Sequence, residues 1–204
     1  GIYYGKSTWQ EHRLNTAIPV VEALKLVDGY RDEAVVVASS RVLQEWVQIS
    51  KRRDLDVDLL DCVDKTVDVA LGITIAKPDI KVLVLDSSST LRTNQSAMIT
   101  TGNICPRNMI HFLFEDIGYA STEGILIPGL DQMDFGSQAR NLGYRSVYEF
   151  EDLETMDLSL ERLFEDEGPI FVMIKVFHDS KSLASLSGNM HESLRRVRDT
   201  LDIG

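Results

Sequence analysis

The 204-residue sequence has two cysteines, five prolines, only 21 basic side chains against 32 acidic ones, and no long apolar run. Each shortage excludes something. Cys62 and Cys105 fall in different expected elements, with no Cys or His near them at metal-ligand spacing. Both read as small half-buried thiols and are assigned no chemistry. A net charge of −11 argues against nucleic acid as a partner, because phosphate contacts need clustered Lys and Arg. The longest apolar runs, AVVVA and VLVL, fall far short of the roughly 20 residues that cross a bilayer, and GIYYGKS has no signal-peptide core. The expectation is a cytoplasmic protein that engages no membrane.

Hydrophobic residues make up 44% of the chain, enough for one sizeable core and, at this length, one large domain. Strand-like and helix-like runs alternate. NTAIPVVEALKLVDGY reads as a helix capped by Asn15, with Pro19 in its first turn and Gly29 as its stop. AVVVAS (34–39) is a buried strand, SRVLQEWVQISKR a helix, and LDVDLL a strand. VDKTVDVALGITIAKPD is a helix with Val63, Val67, Ala70, Leu71 and Thr74 on its inner face. IKVLVLD and NMIHFLFED lack alternation, as strands buried on both faces do, and TLRTNQSAMITTGN is the single helix between them. FGSQARNLG is helical, RSVYEF a strand, DLSLERLFED a helix capped by Asp157, and PIFVMIKV a last strand. Six strands alternating with helices predict a three-layer α/β/α sandwich around a mostly parallel, doubly wound sheet. The tail GNMHESLRRVRDTLD opens on a capping pair, Asn189 and Glu192, and carries an apolar stripe of Leu194, Val197 and Leu201. That stripe suits packing on its own domain or docking of a partner. His111 is expected as a core histidine satisfied by its neighbours.

The order of pieces from LDVDLLDCVDKTVDVALGITIAKPDIKVLVLDSSSTLRTNQSAMITTGNICPRNMIHFLFEDIGYASTEG through EGPIFVMIKV resembles the diphosphate-binding domain of thiamine-diphosphate-dependent decarboxylases. The likeness is to the short beta subunits of sulfopyruvate and phosphonopyruvate decarboxylases. It implies an N-terminal segment (1–15), a thiamine-diphosphate-binding-fold domain (16–178) and a C-terminal tail with a helix (179–204).

The resemblance also locates a site, and its diagnostic letters differ. Where the family has Asp-Gly-Asp-Gly-Ser, this chain reads Asp86, Ser87, Ser88, Ser89, Thr90, so Ser88 stands at the position of a magnesium-binding carboxylate. The family's Asp-Asn pair is Glu115 and Asp116 here, at the family's spacing of 28 residues from Ser88. A Gly-Ser-Met-Gly-like turn becomes Asp61, Cys62, Val63, Asp64. YASTEG stays close to the family pattern and supplies Tyr119, Ser121 and Thr122 as cofactor-covering residues. The cofactor-binding set implied is therefore Asp61, Asp64, Ser87, Ser88, Ser89, Thr90, Tyr119, Ser121 and Thr122, with Asp116 and Ser88 toward the metal. Two outcomes are open. In one, the chain is the thiamine diphosphate-binding half of a 2-oxo acid carboxy-lyase with an altered magnesium and diphosphate site. In the other, no cofactor is bound, the serines cap a helix, and the chain is a non-catalytic interaction or regulatory subunit. Since one chain holds only one of the two domains such enzymes need, the resemblance implies a pyrimidine-binding-type partner subunit or a homo-oligomer.

Overall fold

The computed structural model describes residues 17–116, 133–178, 186 and 188–201. Its sheet is built from β1 (Ile18–Pro19), β2 (Val35–Ser39), β3 (Asp56–Leu59), β4 (Val82–Ser87), β5 (Met109–Asp116), β6 (Ser146–Phe150) and β7 (Ile170–Phe177). The strands follow the order β1-β7-β5-β4-β2-β3, with β6 also paired to β7. Every pairing among the described residues is parallel. Strands β4 and β5 lie side by side near the middle, with Leu85 opposite Phe112 and Ser87 opposite Phe114. Their side chains are buried on both faces, which is why neither strand alternates in sequence.

Helices cover both faces. On one side α1 (Val20–Tyr30), α2 (Ser40–Ile49) and α7 (Leu153–Glu165) pack Leu24, Leu43, Trp46 and Leu160 against Leu83, Leu85, Phe112 and Phe114. On the other, α3 (Thr66–Ala76), α5 (Ser96–Ile104), α6 (Phe135–Leu142) and α8 (Met190–Thr200) pack Ala70, Met98, Phe135 and Val197 against Val35, Val84, Leu113 and Phe171. A short α4 (Ser88–Thr93) links β4 to α5. None of the described helices is long and apolar enough to cross a membrane.

Several sequence expectations are corrected. Pro19 ends a two-residue seventh strand and stands at the N-cap of α1, which runs through Gly29 to Tyr30, while Asn15, the expected cap, lies outside the described residues. Val63 is 42% exposed because it belongs to a separate 3-10 turn (Val63–Lys65) ahead of α3. The helix expected over 90–103 breaks at Asn94, whose side chain donates to the Asp64 carbonyl and the Asp68 carboxylate. A side chain that ties back to another loop fixes the chain direction there and splits the run into α4 and α5. The cap of α7 is Asp152, whose carboxylate accepts the Thr155 N–H, so Asp157 lies one turn inside the helix.

The tail stripe packs on its own domain. Val197 is buried and Leu194 and Leu201 are partly buried in the second core cluster. There α8 also covers the sheet's outer strand: Ser193 Oγ accepts the Asp58 N–H at 2.9 Å, and Arg196 donates to the Asp56 carbonyl at 3.1 Å. Edge groups that would otherwise template another strand are thus occupied. Asn189 caps α8 by accepting the Glu192 N–H.

Candidate functional site

From β2 the chain goes outward to β3, then returns past β2 to β4 and continues the other way to β5. Strands β2 and β4 are adjacent, and the helices leaving their carboxyl ends go to opposite faces, α2 to one and α5 to the other. Such a reversal opens a crevice at the carboxyl edge, where open α/β sheets hold ligands. At this point the chain places hydroxyls. Ser39 Oγ lies 2.7 Å from Thr66 Oγ1, and Ser40 Oγ lies 3.0 Å from Thr90 Oγ1. Ser87 Oγ lies 2.5 Å from Thr90 Oγ1 and 2.9 Å from Ser89 Oγ, and it accepts the Thr90 N–H as the cap of α4. Ser40 has φ +57°, a conformation that a non-glycine residue holds only under tertiary constraint, and one found at functional turns.

Ser87, Ser89 and Thr90 are therefore brought together, joined by Ser39, Ser40 and Thr66, which the sequence reading missed. Ser88 is buried, and its carbonyl accepts from the Arg92 side chain. Asp116 is buried at the end of β5, two residues past the pair Ser87–Phe114, at the same sheet edge. Asp64 joins the group through its backbone, which accepts from Asn94, while its carboxylate pairs with Lys65 at 3.2 Å. Asp61 is exposed, and its carboxylate meets the first N–H of α8 at 3.5 Å. Burial raises the Cys62 thiol pKa, with the Asp61 and Asp64 carboxylates adding to it, so the thiol between them stays protonated and unreactive. Tyr119, Ser121 and Thr122 lie outside the described residues.

Two buried ionisable groups line the layers beneath. Asp86 accepts the Ser87 N–H at 2.8 Å, and its other oxygen lies 3.7 Å from His111 Nε2. His111 Nδ1 lies 3.2 Å from the Tyr144 hydroxyl. The expected core histidine is thus present, though Nε2 makes no hydrogen bond. Burial drives the Tyr144 phenol well above its ordinary value, and the Asp86 carboxylate pushes it the same way. The second group, Glu45 with His178, was not foreseen. His178 Nδ1 lies 2.9 Å from Glu45 Oε1, with the side chains 3% and 4% exposed, and Arg41 Nε stands 4.0 Å from the same carboxylate. Its signal was present: a glutamate four residues after Arg41, inside the inward stripe Val42, Leu43, Trp46.

Comparison with known proteins agrees with this architecture. In solved structures, a protein of Mycobacterium smegmatis described as a thiamin diphosphate-dependent enzyme matches with TM-score 0.66 at 15% identity, covering 78% of this chain and 32% of that one. A thiamine diphosphate-dependent 4-hydroxybenzoylformate decarboxylase of Rhodococcus jostii matches with TM-score 0.64 at 14% identity, over 89% of this chain and 36% of that one. The fold is that of a thiamine-diphosphate-enzyme domain. In sequence, the chain is similar to the sulfopyruvate decarboxylase beta subunit of Methanothermobacter thermautotrophicus, 23% identical over 76% of this chain and 80% of that protein. It is also similar to the phosphonopyruvate decarboxylase of Streptomyces viridochromogenes, 24% identical over 79% of this chain and 40% of that protein. The chain thus spans most of the first relative but less than half of the second and of both structures. No family model matches it.

The thiamine-diphosphate fold implies a magnesium-bridged diphosphate, and the donors among the described residues do not fit one. Magnesium asks for near-octahedral oxygen ligands with one or two carboxylates. Among the described residues no three His, Cys, Asp or Glu side chains converge on a point. Ser40, Ser87, Ser89 and Thr90 hydrogen-bond to one another. No glycine occurs in 61–64 or 86–90, so every residue of the cradle carries a Cβ where close backbone approach would be needed.

Proposed function

We propose that this chain is a subunit of a thiamine-diphosphate-enzyme type of assembly that retains the fold of the diphosphate-binding half and acts without holding the cofactor, as an interaction or regulatory subunit. The observation that carries this reading is the self-paired hydroxyl chain at the switch point. The three contacts of the Ser40–Thr90–Ser87–Ser89 chain engage three of its four hydroxyl donors with one another, and a donor that has already made its hydrogen bond gains little from a new anion. The relatives' names, a beta subunit and a decarboxylase, support an assembly with a pyrimidine-binding-type partner or with further copies of the chain. Calorimetric titration of thiamine diphosphate with magnesium tests it, first into this chain and then into its complex with a partner. No heat of binding in either is expected, and saturable binding in either overturns the reading.

A second reading has its own observation. Asp116 is a buried acid at the carboxyl end of the strand beside β4, and it could supply the negative charge that Ser88 no longer does. In that case the chain is the cofactor-binding half of a 2-oxo acid decarboxylase with an altered magnesium site. Asp116→Asn would then weaken magnesium-dependent cofactor binding and Ser88→Asp would strengthen it. No binding in the wild type or in either variant leaves the cofactor-free subunit.

A further inference from the structure

We propose that the outward face of α3 and α5 is the surface on which a second copy of this chain docks, across a two-fold axis. The two helices lie side by side on one side of the sheet, where their inner residues Ala70, Leu71, Ala97 and Met98 enter the second core cluster. Their outer residues are not those that water selects. Val63 just ahead of α3, Ile75 near its end, and Ile99 and Ile104 on α5 are four of the five large apolar side chains exposed among the described residues, at 42%, 59%, 49% and 46%. The helices hold 11 and 9 residues and carry one charged side chain between them, Asp68, where the chain's 26% charged content would give about five. Asp68 is itself engaged, accepting from the Asn94 side chain. A helix that is apolar on all sides needs cover on all sides, and depletion of charge around a cluster of exposed apolar residues is what sets the centre of a protein–protein contact apart from ordinary surface.

Gly72 is an independent sign. It sits in the middle of α3 and is exposed, and a Cβ added there would meet nothing within 4 Å. Glycine inside a helix costs stability relative to alanine, and no contact within the chain requires it here. What it permits at an exposed position is the close approach of another helix, since the side chains at the contact set the distance between axes. Charge identifies the neighbour. With a net charge of −11, copies of this chain repel one another, and the repulsion is least where the touching surfaces carry no charge. A partner for this face must be apolar and uncharged over the same extent, and a second pair of α3 and α5 supplies that surface. The helices follow β3 and β4 of a parallel sheet, so both run from its carboxyl edge to its amino edge. A two-fold axis normal to the face sets them antiparallel to their copies, with opposed helix dipoles. Charges of both signs border the ends: Asp61, Asp64 and Lys65 lead into α3 and Arg92 into α5, while Lys77 and Asp79 follow the one and Arg107 the other. They form a polar rim around the apolar centre. The proposal rests on the assembly reading above and names its surface and its partner.

Sedimentation equilibrium of the whole chain at about 10 µM, above the micromolar end of the affinities that interfaces of ordinary size reach, measures the assembly. Twice the mass of one chain is expected. Gly72→Arg blocks the close approach and Ile75→Glu places a charge in the contact, and each should weaken the dimer by about tenfold or more. Both positions are exposed, and Gly72→Arg keeps the test valid if Ile75→Glu does not fold, with circular dichroism reporting the fold of each. Leu158→Glu, at the exposed apolar residue of α7 on the other side of the sheet, should leave the dimer intact. A monomeric wild type, a dimer that Gly72→Arg and Ile75→Glu leave unchanged, or a dimer lost equally in Leu158→Glu overturns the proposal. A wild-type monomer that joins only a different subunit overturns it too and leaves the assembly reading standing, while thiamine diphosphate binding is decided separately by calorimetry.

Discussion

The two edges of the sheet each carry a buried ionic cluster, and the clusters are built differently. At the amino edge, Arg31 donates to Asp56 at 2.6 Å, to Ser50 and to the Ala34 carbonyl, and its guanidinium lies 5.4 Å from the centre of the Trp46 ring. Asp56 has both oxygens occupied, the second by Arg53 at 2.8 Å, and Arg53 extends the network to Asp58, which also meets Arg196 of α8. Arg31 Nε and Asp58 Oδ1 are the buried atoms of this network without a hydrogen-bond partner. At the carboxyl edge, Glu45 and His178 are as deeply buried but form a pair with few partners, Glu45 Oε1 meeting His178 at 2.9 Å and Arg41 at 4.0 Å. The amino-edge charges tie β3 to the segment after α1 and to α8 through several fixed partners, whereas Glu45 and His178 join only α2 to the end of β7.

Removing an amino-edge partner should have the largest effect. Arg31→Met leaves the Asp56 carboxylate buried with Arg53 as its remaining side-chain donor, and a loss of about 3–5 kcal/mol is expected in urea unfolding. An effect below about 1 kcal/mol would erase the contrast between the edges. Next is the seam that joins this cluster to the tail. Ser193→Ala strips the Asp58 N–H of its acceptor, for an expected loss of about 1–2 kcal/mol and faster amide exchange at Asp58 than at Val57.

A cap with no ligand role calibrates the scale. The Asp134 carboxylate accepts the Ser137 N–H and hydroxyl and caps α6; these bonds hold its pKa below the usual carboxylate value. A depressed folded-state pKa contributes stability above the unfolded value, near pH 4, and that contribution is lost as pH falls through the folded value. Asp134→Ala should therefore cost about 1 kcal/mol at neutral pH and progressively less below about pH 4, as chemical denaturation across pH would show. The smallest effect is expected at the carboxyl edge. Glu45→Gln keeps an oxygen for His178 and removes a poorly matched charge, so stability should change by less than about 1 kcal/mol. A loss as large as that of Arg31→Met would make Glu45 a structural residue and align the two edges.

Much of the fold was legible because it rests on local pattern. VLVL and MIHFLF carry no alternation, and strands without alternation between amphipathic helices belong in a covered parallel sheet, as β4 and β5 do. The hydroxyl turn at 87–90 was legible for the same reason: a strand end followed by a helix start is local. Misplaced boundaries had non-local causes. Asn94 breaks a helix because its side chain reaches Asp64 and Asp68, and Pro19 belongs to a strand because β7 lies beside it.

The sequence by itself determined the layering, the positions of six of the strands, the lack of a long apolar run, and the replacement of Asp and Gly by Ser, Asp and Val at the cradle. Tertiary structure alone decided that Ser39, Ser40 and Thr66 join Ser87, Ser89 and Thr90, that α8 closes the β3 edge, and that Glu45 meets His178 across 133 residues of chain. The physical reason is range. Periodicity and capping act within a few residues and can be read along the chain, whereas a hydrogen bond depends on where crossovers return the backbone, and pairing across a sheet edge leaves no periodic trace.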